Sequence, residues 1–171
     1  MKQYFFRRRL KAMPKRNVRF PEWKNIRSIA LLYPSDLMEK NPVIHRLQAE
    51  LQAEEKNIVL IGYADKKDII SPILPQSRIY GQRHFTLLGT PTEATLHDLQ
   101  IQMFDLLIDL SQQTILPLQY MAMYIRADFK AGMHLTDDGI HDLMIEMDAE
   151  DSMEHLAKEI VKYLKMIHSN D

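Results

Sequence analysis

Phe104-Asp-Leu-Leu-Ile-Asp-Leu-Ser111 reads as a strand buried on both faces. Its apolar run is interrupted only by Asp105 and Asp109, is closed by the polar Ser111-Gln-Gln-Thr114, and gives way to helical spacing. That is the pattern of a central parallel strand, which needs apolar side chains on both sides of its pleat. Asp105 and Asp109 stand four apart in an extended chain and therefore point to the same side of the sheet.

Working upstream, Asn25 to Tyr33 supplies a first strand, ended by Pro34-Ser-Asp36. Asn41 and Pro42 then suit an N-cap and a first helical residue, and Val43, Ile44, Leu47 and Leu51 recur at helical spacing to about Glu55. Ile58 to Ile61 make a second strand. From Gly62 the chain reads mostly as loop, with one helical turn around 68–73, until a short third strand at Phe85 to Leu88 ended by Gly89 and Pro91. Thr92 caps a helix with Thr95 facing it and Leu96, Leu99 and Met103 on its apolar side.

Downstream, a helix is expected from Thr114 to about Arg126, with Pro117 tolerated in its first turn. Phe129 to His134 read as a strand. Thr136-Asp-Asp-Gly139 signals a turn, and His141 to Met147 a strand hairpin-related to the one before it. Ser152 caps a last helix that turns Leu156, Ile160, Val161, Leu164 and Ile167 inward. Strands alternating with helices predict an α/β, three-layer, Rossmann-like (doubly wound) sheet, mostly parallel and of about six strands. It forms a single domain over 25–171, preceded by a basic amphipathic arm over 1–24.

In such a sheet, ligands settle beyond the carboxyl ends of the strands where strand order reverses. If the first strand and the strand at 104–110 are neighbours, the site is lined by Ser35, Asp36, Asp109, Ser111, Gln112, Gln113 and Thr114. Asp36 is placed to act as a general base or to hold a substrate hydroxyl, and equally to form an Asx turn or cap the next helix. Asp109 has the same two readings, a ligand contact or a hydrogen bond to a helix N-terminus. His134, Asp137, Asp138, His141 and Asp142 crowd one stretch in a set of metal-compatible types, but an Asp-Gly turn accounts for the acids, and no metal is expected.

Net charge of −1 conceals an asymmetry. Residues 1–24 carry nine basic side chains against Glu22 alone, and the remainder thirteen basic against twenty-two acidic. Phe6, Leu10 and Met13 share one face of a short helix that Pro14 stops. Arg7, Arg8, Arg9 and Lys11 are then the residues for an anionic membrane surface or, as a weaker alternative, nucleic acid; the other reading packs the arm on the acidic body. The chain has no cysteine, hence no disulfide and no thiolate nucleophile, which suits the cytoplasm. It has no glycine-rich dinucleotide or P-loop motif and no nucleophile elbow, so no cofactor is expected.

Three stretches in order resemble the N-terminal, acceptor-side half of the heptosyltransferase-like glycosyltransferases (glycosyltransferase family nine). Asp36-Leu-Met-Glu-Lys-Asn-Pro42 is similar to the family's loop Asp followed six residues later by Pro. Phe104-Asp-Leu-Leu-Ile-Asp-Leu110 is similar to its Tyr-Asp-Leu-Val-Ile-Asp-Leu, and Ala127-Asp-Phe-Lys-Ala-Gly132 to its Ala-x-x-Arg-Ile-Gly. Ser35 stands where that family has glycine. The resemblance implies a Rossmann-like half, with Asp36 at the position of the loop base. The half that holds the sugar nucleotide has no room in 171 residues. The expectation is a cytoplasmic, non-catalytic binding or interaction module, with a peripheral place at the inner membrane surface as its variant. The alternatives are a glycosyltransferase-type fragment that needs a partner chain for its sugar nucleotide, and a nucleic-acid binder working through the arm.

Overall fold

A computed structural model of the chain describes residues 1–19, 21–36, 41–69, 76–137, 139–148 and 150–167. Its centre is strand β4 (Met103–Asp109), in which Leu106, Leu107 and Ile108 are wholly buried. On one side β4 pairs with β1 (Ser28–Pro34), on the other with β5 (Arg126–Met133), both parallel. Beyond β1 lie β2 (Asn57–Tyr63) and β3 (Ser77–Tyr80); beyond β5 lies β6 (Leu143–Ile145). The order is β3-β2-β1-β4-β5-β6 and every pairing is parallel. Strand order therefore reverses between β1 and β4, with Leu31 opposite Ile108.

Helices cover both faces. On one, α2 (Pro42–Ala53) and α5 (Met153–Met166) pack Ile44, Leu47, Leu51, Leu156, Ile160 and Leu164 on the odd-numbered side chains of β1. On the other, α1 (Lys2–Ala12), α3 (Glu93–Gln100) and α4 (Leu116–Tyr124) pack on Ala30 and Leu32. The expected caps form: Asn41, Thr92 and Ser152 accept the N–H groups of Ile44, Thr95 and His155. Pro117 sits in the first turn of α4, where its missing N–H costs nothing.

Two expected strands are corrected. Phe85 to Leu88 form no strand; Phe85 makes an isolated bridge to Pro91, and Thr86 and Thr90 close a tight loop in which Gly89 has φ +83°. The third strand is instead Ser77–Tyr80, inside the stretch read as loop, where half-buried edge residues hide the period of two. The helical turn expected around 68–73 falls mostly on residues outside those described. The second correction concerns β6, which is parallel to β5 (Ala131 opposite Leu143), so no hairpin joins them. Because β6 is only three residues long, the nine residues between the strands suffice to bring the chain back. Asp142 anchors that return: its N–H donates to Lys130 O (2.7 Å) and its carboxylate accepts from Lys130 N–H (2.8 Å).

The N-terminal helix packs on the body of the domain. Phe6 is 1% exposed and meets Tyr120 of α4 edge to face at 5.0 Å, Leu10 and Met13 extend the contact, and Arg9 donates to Tyr124 Oη (3.3 Å). Arg16, past the helix, is ion-paired with Asp142. Among the described residues no helix is long and apolar enough to cross a membrane. Since Phe6 is buried against α4, Phe6→Ala is expected to cost about 3–5 kcal/mol, the usual cost of emptying a buried phenylalanine site. Urea unfolding measures it, and a loss under about 1 kcal/mol would show the helix to be loosely held.

Candidate functional site at the carboxyl edge of the sheet

The carboxyl end of β4 carries Asp109, 5% exposed. An ionised carboxylate there must fill its lone pairs within the protein. Oδ1 accepts from Ser111 N–H (3.0 Å) and Ser111 Oγ–H (2.6 Å). Oδ2 accepts from His141 Nε2–H at 2.9 Å, with the imidazole side chain 11% exposed. Gly132, the β5 partner of Asp109, makes room for the ring, because a Cβ at that position would lie 2.8 Å from His141 Nε2.

These groups line a small cavity of about 20 Å3, closed by Gln113, Leu118, Gln119, Leu135 and Thr136. That volume suits about one water molecule. Of the residues expected at the switch point, Asp109, Ser111 and Gln113 therefore come together here, and sequence reasoning missed His141 as their partner. Ser35 and Asp36 are not among the residues that line it. Ser35 N–H bonds to Tyr63 O (2.7 Å), extending the β1–β2 ladder, and Asp36 is exposed. Gln112 turns to the opposite face, where its amide donates to Asp151 O, and Thr114 is exposed. Residues 37–40, which complete the loop after β1, lie outside the described residues. On α1, Arg7, Arg8, Arg9 and Lys11 are all exposed.

The crowded acids and histidines of 134–142 have separate duties. His134 bridges Glu146 (2.6 Å) and Asp137 (2.7 Å), and these two carboxylates raise its pKa. His141 serves Asp109 and Asp142 serves Arg16. Among the described residues no group of three or more such side chains is arranged to hold a metal ion; Asp138 lies outside them. Asp105, at the other end of β4, accepts from the N–H groups of Arg27 (2.7 Å) and Ser28 (2.9 Å), so it fixes the start of β1.

Lys130 is the other buried charge, 2% exposed on β5. Its ammonium donates to Ala122 O (2.7 Å) and Met123 O (3.1 Å), carbonyls of the last turn of α4, where positive charge is favoured. Burial is the main cause that brings its pKa down to about 7, and Arg16 adds to the shift against the opposing pull of Asp142 and Asp109.

Residues 2–167 match the sequence profile of a family of unknown function, DUF6913. The chain belongs to that family. No curated protein matches the DUF6913 chain. Among solved structures, E. coli heptosyltransferase WaaC with ADP aligns with a TM-score of 0.49 and 14% identity, over 80% of this chain and 46% of that one. The DUF6913 chain thus spans less than half the length of that enzyme.

Two outcomes test this geometry. Gly132→Ala drives a methyl group into the His141 ring; the expected loss is about 1–3 kcal/mol of stability, with the His141 side-chain NMR signals displaced. Unchanged His141 signals would show that the Asp109 contact tolerates the methyl. Lys130 keeps its proton to about pH 10.5 in the unfolded chain and to about 7 in the folded one. Between those values the unfolded state binds more protons, so stability rises with pH. Denaturant titrations across that window should show a slope that Lys130→Met removes, and a variant with the same slope would refute the assignment.

Proposed function

We propose that this DUF6913 chain is a non-catalytic, Rossmann-like binding module whose ligand or partner meets the carboxyl edge of the sheet. The loops 111–114 and 134–141 would form the contact, with Ser35 and Asp36 on the neighbouring β1 side. One observation carries the reading: the buried acid at the switch point is already satisfied. Both oxygens of Asp109 are taken by Ser111 and His141, and the space beside them is that of about one water. A general base needs its substrate within hydrogen-bond reach, and the cavity beside Asp109 has room for about one water. The cluster instead ties Ser111 to the 134–141 loop and gives the edge a fixed shape, which lowers the ordering cost of binding. The exposed Asp36, Gln113 and Thr114 supply polar contacts around that rigid centre.

Two measurements on the intact chain test the proposal. An amide NMR screen against a metabolite mixture is expected to find ligands that move resonances of 111–114 and 134–141. Calorimetric titration with a sugar nucleotide at millimolar concentration is expected to yield no heat. Saturable heat together with release of the nucleoside diphosphate would replace this reading by a glycosyltransferase one. Ligands that perturb only other parts of the chain would remove the edge from consideration.

A further inference from the structure

A second concavity opens on the α1 side of the sheet, where the segment after α1 crosses β5. It measures about 360 Å3, within the range of small-molecule pockets. Its apolar walls come from Leu10 of α1, Met13 and Val18 of the segment that follows it, Met123 of α4, and Ile140. Its polar groups are Lys15, Arg16, Lys130 and Asp142. Asp142 is spent, since its carboxylate holds Arg16 and the N–H of Lys130. Arg16 has its charge offset by Asp142 and gives a further N–H to Ala127 O (3.1 Å). Lys130 has a donor and its charge still to offer. A lysine ammonium has three donors, and among the described residues two of them meet acceptors, Ala122 O and Met123 O. Lys15 is exposed at the rim, and no ion pair among the described residues neutralises it.

We infer that this cleft is a binding site for an organic monoanion, an apolar body ending in one carboxylate that accepts the remaining Lys130 N–H while Lys15 faces it across the rim. The charges select this class. Three cations line the cleft against Asp142 alone, so an anion is attracted and a cation repelled. With the charge of Arg16 offset by Asp142, the buried Lys130 donor can meet one oxygen of a planar carboxylate and the exposed Lys15 ammonium the other. The walls of Leu10, Met13, Val18, Met123 and Ile140 require the rest of the ligand to be apolar. Binding also couples to protons. The charged groups acting on Lys130 are Arg16, which disfavours its protonated form, and Asp142 and Asp109, which favour it; an incoming carboxylate joins the latter. The site lies outside the Asp109 cavity, although Ile140 lines both.

Octanoate, with octanamide as its uncharged counterpart, tests the inference on the full chain by amide NMR and calorimetry. Octanoate is expected to saturate with shifts at 10–18, 123, 130 and 140–142, and octanamide to bind roughly tenfold more weakly, the usual worth of a hydrogen bond to a charged group. Octanoate affinity should be greater at about pH 6 than at about pH 9, either side of the Lys130 value of about 7. Lys130→Met should abolish that difference. Should the variant fail to fold, Lys15→Glu and Val18→Glu at exposed positions keep the question open to measurement: Lys15→Glu is expected to weaken octanoate roughly tenfold while leaving octanamide unchanged, and Val18→Glu, which spoils an apolar wall, to weaken both. Equal affinity for the two probes, shifts confined elsewhere, no binding of octanoate, or insensitivity to both substitutions would each overturn the inference.

Discussion

Asp109 is buried at the carboxyl end of the middle strand, and an isolated carboxylate in that position would cost several kcal/mol to desolvate. The arrangement of the whole edge follows from the need to surround it with donors. Ser111 must turn back within two residues to give both its N–H and its hydroxyl, which ends β4 abruptly. His141 must come from the far side of β5, and its ring can do so only across a residue without a side chain, Gly132. Removing one member would leave a buried partner unsatisfied, so the three segments are held as a unit.

The second buried charge organises the other side. Lys130 gathers the last carbonyls of α4 and so joins that helix to β5. A parallel device closes the opposite end of the molecule, where Lys56 donates to Trp23 O and Ile26 O (both 2.8 Å) and lies 5.2 Å from the Trp23 ring. Burial lowers its pKa too. In both cases an ammonium replaces the caps that glycine commonly supplies at helix ends, in a chain with only five glycines. The N-terminal segment becomes part of this scheme, with Phe6 in the core and Arg16 on Asp142.

What was legible followed from strong local patterns. The fully buried runs at 29–32 and 106–108 and the caps at Asn41, Thr92 and Ser152 have short-range signatures, while the adjacency of β1 and β4 was a condition that the structure met. β3 was missed because an edge strand is half exposed and its Ser-Arg-Ile-Tyr has no clear alternation. Phe85 to Leu88 misled because an apolar run of four is compatible with a loop, and Leu87 is 93% exposed. The pairing sense of β6 was beyond local reading, since an Asp-Asp-Gly turn suits a hairpin and a tight return equally.

The sequence by itself determined the alternation of strands and helices, the buried central strands and the helix starts at their caps, since periodicity and capping act within a few residues; the pairing of β1 with β4 that sets the switch point is a long-range contact. Only the tertiary structure decided that Asp109 is satisfied by His141, that Asp36 stands apart from the cavity, and that Lys130 and the arm enclose a cleft. Those facts depend on contacts between residues some 30 to 120 positions apart, such as Asp109 with His141 and Arg16 with Asp142. Hydrogen bonding of a buried charge is set by whichever groups the folded backbone brings within about 3 Å, and that proximity has no counterpart in local composition.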